Sequence, residues 1–124
     1  MHRSRLGVLV IDCLTQDLDA EAAFWSGALG WNALRDEDDS RYRKLDAPSA
    51  EMQVLLQRVE HPSRVHLDIE TDDIEAEVAR LERLGAKRVA QVRTWWVMEA
   101  PSGHRFCVVQ PQRADFADNA NTWE

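Results

Sequence analysis

The pattern of apolar and polar positions opens with a β-branched apolar run at 6–13, which predicts a buried strand. Asp17 and Asp19 then offer N-cap side chains, good helix formers fill 20–29, and Gly30 stands where a C-cap glycine belongs. Gly27 inside this helix costs about 1 kcal/mol relative to alanine. It is therefore expected to mark close packing on a neighbouring backbone. The acidic stretch 36–39 predicts a solvated turn, and 41–45 and 52–59 predict strands separated by a turn at 47–49. After a connector at 61–63, residues 65–70 predict another strand. The clearest helix is 72–84, where Ile74, Val78, Leu81 and Leu84 share one face. Asp72 and Glu75 resemble a capping box at its start, and Gly85 closes it. Strands are predicted at 88–92, 93–99 and 105–110, followed by a polar tail expected to be loose, or else pinned by Phe116 and Trp123.

This order repeats: strand, helix, then two or three strands, twice over. Asp46-Ala47-Pro48-Ser49 matches Glu99-Ala100-Pro101-Ser102, and a glutamine follows each serine by eight residues, Gln57 and Gln110. Between them Val54-Leu55-Leu56 matches Cys107-Val108-Val109, at an offset of 53. Leu29-Gly30 matches Leu84-Gly85 at 55, and Val10-Ile11-Asp12 matches His66-Leu67-Asp68 at 56. The chain therefore predicts an α+β fold of two tandem βαβββ modules, at about 6–59 and 64–111, with a tail at 112–124. A module of that size is marginal alone. Paired modules would bury one face of each sheet under helices and curve the other faces into a shared cup of mixed β-sheet.

Composition narrows the function classes. Asp and Glu exceed Lys and Arg by 22 to 15, for a net charge of -7, which disfavours nucleic acid as a partner. No apolar run approaches the roughly 18 residues that a membrane helix needs. Residues 6–11 imitate a signal peptide only faintly, since Asp12 interrupts them. The two cysteines, Cys13 and Cys107, are too few for a disulfide scaffold, so a reducing cytoplasm is expected.

Phe24-Trp25 with Leu29-Gly30-Trp31, the strand His66-Leu67-Asp68-Ile69 before its helix, and Ala100-Pro101-Ser102-Gly103 leading into Arg105-Phe106-Cys107-Val108-Val109 together resemble the vicinal-oxygen-chelate superfamily. That superfamily includes glyoxalase I, bleomycin-resistance proteins and extradiol dioxygenases, and the pattern is most similar to its glyoxalase-like bacterial subgroup. The resemblance covers about 6–111. The last segment is similar to the family's Asp-Pro-x-Gly-Asn-x-x-Glu ending, with Ala100, His104 and Cys107 in place of Asp, Asn and Glu.

The resemblance implies one divalent metal per cup, held from the first and last strands of each module. Those positions become Val10, Val54, His66 and Cys107. Only His66 is an ordinary ligand and Cys107 a soft one, so no resident metal or other cofactor is expected; a divalent metal is the alternative. A one-residue slip would bring Gln53 inward but would turn the whole strand over, so Val54 is kept. Alternation and the family geometry then line the cup with Val10, Asp12, Tyr42, Lys44, Val54, Leu56, His66, Asp68, Trp95, Val97, Cys107 and Val109. Cys13 is read as a packing residue, as are Trp25 and Trp31, and His2, His61 and His104 are given no role.

Such a lining suits a small molecule. The first reading is a binding protein of the bleomycin-resistance type, without a catalytic metal, holding an aromatic or cationic ligand against Trp95 and Tyr42. The second is a lyase or isomerase acting near a carbonyl, with His66 as base and Asp68 or Cys107 assisting. The third is a structural or regulatory domain whose cup is filled. The resemblance also implies a homodimer.

Overall fold

The computed structural model describes residues 1–124. Its elements are β1 (His2–Leu14), α1 (Leu18–Leu29), β2 (Ala33–Arg35), β3 (Tyr42–Leu45), β4 (Gln53–Val59), β5 (Arg64–Thr71), α2 (Ile74–Arg83), β6 (Lys87–Val92), β7 (Trp95–Glu99), β8 (Arg105–Val109), α3 (Phe116–Asn119) and β9 (Asn121–Trp123). The fold is α+β, with the βαβββ order running twice along the chain. None of the helices is long and apolar enough to cross a membrane.

The chain divides into two compact units: Val8–Val65, and Met1–Gly7 together with His66–Glu124. In the first, the strand order is β2-β3-β4-β1. β1 pairs with β4 in parallel, and β4 with β3 antiparallel. One face of this sheet packs Cys13, Leu45, Val54 and Leu56 against Leu18 and Ala22 of α1, with Leu9, Ile11, Trp25 and Trp31 at the margins. The helix starts where Asp17 accepts a hydrogen bond from the Ala20 amide and stops at Gly30, whose φ of 78° is left-handed. Gly27 has open space around the position of a Cβ, so the close approach expected there is absent.

In the second unit the order is β5-β8-β7-β6, with β5 and β8 parallel and β7 antiparallel to both neighbours. Val78 and Leu81 of α2 pack on Met98 and Val108, flanked by Ile69, Ile74, Trp96 and Phe106. The N-cap is Asp73, which accepts from the Ala76 amide. Asp72, expected in that role, instead accepts from the Arg3 amide at 2.8 Å. Leu84, expected on the buried face, occupies the C-cap and is 67% exposed, because the helix ends before its turn returns to the sheet.

The chain ends form structure that apolar periodicity did not announce. β9 pairs antiparallel with the start of β1, Ser4 opposite Asn121. Beneath them Glu77 of α2 is fully buried and accepts from His2 Nε2 at 2.8 Å, Ser4 Oγ at 2.7 Å and Arg80 at 2.8 Å. Trp123 Nε1 donates to Ser4 Oγ at 2.9 Å, and its ring lies 3.9 Å from the Arg80 guanidinium carbon. His2, given no role from sequence, is thus a buried partner of a carboxylate. Glu70 forms a second such point, accepting from Arg5 and from the Gln112 amide.

Candidate functional site

In the second unit, Ile69, Trp96, Phe106 and Val108 turn toward α2. Alternation puts His66, Asp68, Trp95, Val97, Cys107 and Val109 on the other face. The register sets Asp68 and Val97 on either side of Cys107, across three strands. One donor atom each from His66, Asp68 and Cys107 lies within 4.8 Å of the others, and all three residues are half-buried. His66 Nε2 is 3.3 Å from Asp68 Oδ1. That carboxylate oxygen is shielded from solvent, yet accepts no hydrogen bond, since the contact lacks hydrogen-bonding geometry. Arg105, two residues before Cys107, shares the face and pairs with Glu99 at 3.3 Å. The sequence reading passed it over, although alternation from Cys107 marks it.

In the first unit, Val10, Asp12, Tyr42 and Lys44 lie on the face turned away from α1. Val10 and Asp12 are buried, and Lys44 is exposed. His61 Nε2 and Arg64 Nε approach Asp12 Oδ2 at 3.8 and 3.7 Å. Tyr42 Oη accepts from Gln57 Nε2 at 3.1 Å.

Val54 and Leu56 do not belong with them. Both sit in the core under α1. The register pairs Leu9 with Val54 and Ile11 with Leu56, so Gln53, Leu55 and Gln57 take the opposite face. β4 therefore shows the face that a slip to Gln53 would give, but its register lies three residues from the repeat's: Asp12 stands opposite Gln57 where Asp68 stands opposite Cys107, an offset of 50 rather than 53. The preceding turn differs as well. The Gly103 amide donates to Ala100 O, with Pro101 second in the turn and Gly103 at φ 89°. In the first unit Ala50 stands at the matching place, and alanine resists a left-handed φ. The turn there shifts by one residue, and the Glu51 amide donates to Pro48 O instead.

Both cysteines are free thiols. Cys13 is in the α1 core, where burial first, then the charges of Glu21 and Asp12, push its pKa up to about 11. At pH 8 only about one Cys13 in a thousand would be thiolate, the reactive form. Mild alkylation of the native protein is expected to label Cys107 alone, with Cys13 reacting only in denaturant. Peptide mass mapping checks this, and native labelling of Cys13 would contradict its burial.

Two βαβββ units in tandem define an α+β fold built by module duplication. A profile described as Glyoxalase-like domain matches residues 8–109, and the chain belongs to that family. No curated protein matches the chain in sequence. Among solved structures, hypothetical protein BH1468 from Bacillus halodurans superposes with TM-score 0.61 at 13% identity, covering 90% of this chain and 97% of that one. A Mn(II)-bound glyoxalase from Novosphingobium aromaticivorans gives 0.59 at 19%, covering 91% of this chain and 42% of that one, so this chain spans less than half its length. Methylmalonyl-CoA epimerase from Mycobacterium tuberculosis gives 0.56 at 17%, covering 92% and 91%. At these identities the likeness is one of fold.

The metal set implied by the resemblance does not fit this chain as a whole. Val10 and Val54 offer no donor atom, and Val54 is under α1. The donors that do converge are one nitrogen, one carboxylate oxygen and one sulfur, all in the second unit.

Proposed function

We propose that this glyoxalase-like protein binds a small aromatic or cationic molecule on the α2-free face of the second unit. The observation that carries the reading is the convergence of His66, Asp68 and Cys107 within 4.8 Å on the face that also bears Trp95 and Val97. A few polar groups set among apolar and aromatic ones are the usual make-up of a small-molecule site. Trp95 supplies a stacking surface, and Asp68 with the net charge of -7 favours a cation. Two free thiols are in keeping with a reducing compartment.

The 3.3 Å contact of His66 with Asp68 supports a second reading. A carboxylate beside an imidazole favours the charge the ring gains when it takes a proton, as a general base in a lyase or epimerase acting beside a carbonyl would need. Both readings are tested with one panel of aromatic amines, quaternary ammonium compounds and small carbonyl compounds. At least one is expected to raise the thermal midpoint of the wild type, and the shift should vanish in Trp95→Ala. A flat panel, or a shift indifferent to both Trp95→Ala and His66→Ala, would sink the binding reading. Unchanged turnover in His66→Ala would remove His66 as a base.

A further inference from the structure

We infer that the ligand of this face is an aromatic α-amino acid, held by Asp68 at its ammonium group, by Arg105 at its carboxylate and by Trp95 at its ring. The inference rests on the same face being the binding site and names the class of molecule that it takes. It adds an anionic group to the ligand, which an aromatic ring and a cation alone do not require.

The ladder fixes where the three groups stand. Asp68 lies directly opposite Cys107 on the neighbouring strand. Arg105 precedes Cys107 by two residues and so shares its face one step along β8. On the other side Val97 lies opposite Cys107 and Glu99 opposite Arg105. Trp95, two residues before Val97, takes the same face at the end away from Glu99. The three groups thus surround Cys107 and Val97. Neighbouring strands are about 4.8 Å apart, and alternate residues of one strand about 6.7 Å. Asp68 and Arg105 are therefore close neighbours, about 8 Å apart at the backbone, and Trp95 is farther from both. An α-amino acid has the same arrangement. Its nitrogen and its carboxylate carbon are about 2.5 Å apart on one Cα, and its ring projects away from both.

Each of the three offers what one part of such a ligand requires. Asp68 Oδ1 is shielded from solvent and accepts no hydrogen bond, which is costly for a carboxylate oxygen. An ammonium group brings it a full charge and a choice of three donors. Arg105 meets Glu99 through Nε at 3.3 Å, which leaves the terminal nitrogens of its guanidinium to grip a second carboxylate. Lys87 lies opposite Glu99 on β6, so this row carries two positive charges against one negative. The half-buried Trp95 ring supplies the stacking surface. A zwitterion satisfies both ends at once. An aromatic amine would leave Arg105 without its anion, and an aromatic acid would leave Asp68 without its cation.

The test uses the full-length chain with L-phenylalanine, L-tyrosine and L-tryptophan, each beside the amine that lacks its carboxylate and the acid that lacks its amino group. In calorimetry at least one amino acid is expected to bind, at least about tenfold more tightly than either of its analogues. Arg105→Ala should abolish its advantage over the amine, and Asp68→Asn its advantage over the acid, with thermal midpoints checking that both variants fold. Should either fail to fold, the comparison of ligands on the wild type still decides. No binding of any of the three amino acids, an amine or acid that binds as tightly as its parent, or an advantage over the amine that survives Arg105→Ala would each overturn the inference. The organic panel above separates it from the reading it rests on. Trp95-dependent shifts in that panel without a preference for the zwitterion keep the binding reading while the amino-acid assignment falls. A flat panel with no amino-acid binding removes both.

Discussion

Replacing Glu77 with alanine is expected to destabilise the protein by about 3–5 kcal/mol, the usual penalty for breaking a buried ion pair from one side. Glu77 is 0% exposed, and its carboxylate is the shared acceptor for His2, Ser4 and Arg80. Truncation leaves a half-buried guanidinium, a buried hydroxyl and a buried imidazole without their acceptor, and opens space beneath α2. Glu77→Gln keeps the volume but can accept at only one oxygen, so a smaller loss of about 1–3 kcal/mol is expected. Against a total stability of about 5–15 kcal/mol for a domain, the first change threatens folding itself. Urea midpoints of the three proteins check the order. Equal midpoints would show that the cluster contributes nothing net.

The same carboxylate sets a pH dependence. Burial pushes its pKa up, but hydrogen bonds from Arg80, His2 and Ser4 and the Arg80 charge outweigh that and hold it below the ordinary glutamate value. A depressed folded pKa gives stability that is fully present above the unfolded value, near about 4.3. That stability is lost as pH falls through the folded pKa. The wild type should therefore weaken below about pH 4.3, and Glu77→Gln should show a flatter profile over that acid range.

This cluster also marks where the sequence was mute. His2-Arg3-Ser4-Arg5 carries no apolar alternation, so nothing local signals that the first half of β1 is buried. Its partners lie 73 to 75 residues away on α2, and its cover, Trp123, is 119 residues away. Periodicity reads burial only where burial is apolar. It therefore located α2, where Ile74, Val78 and Leu81 mark the inner face against charged positions outside. It defined α1 less sharply, since Ala20, Ala23, Phe24 and Gly27 stand exposed where charged residues would mark the outer side. The candidate site divides along the same line. His66, Asp68, Trp95, Val97 and Cys107 share a face because two residues per repeat is a property of any strand, and the conflict arose only where an inexact repeat had to fix the phase.

That phase is open to direct test on β4. Leu56→Ala is expected to cost about 2–5 kcal/mol, since Leu56 is 0% exposed among Cys13, Leu18, Ala22 and Leu45 and its loss leaves a cavity under α1. Gln57→Ala removes one hydrogen bond, to Tyr42 Oη, and should cost only about 0.5–1.5 kcal/mol. The sequence-derived register makes the opposite statement: with Leu56 on the ligand-facing side, its truncation would change binding more than stability, and Leu55→Ala would be the costly change. Urea unfolding of the three variants decides between them, because a one-residue slip exchanges every inward side chain of the strand for its outward neighbour. A near-neutral Leu56→Ala beside a strongly destabilised Leu55→Ala would restore the register with Val54 and Leu56 facing the ligand. The observed pairing of Ile11 with Leu56 requires the reverse.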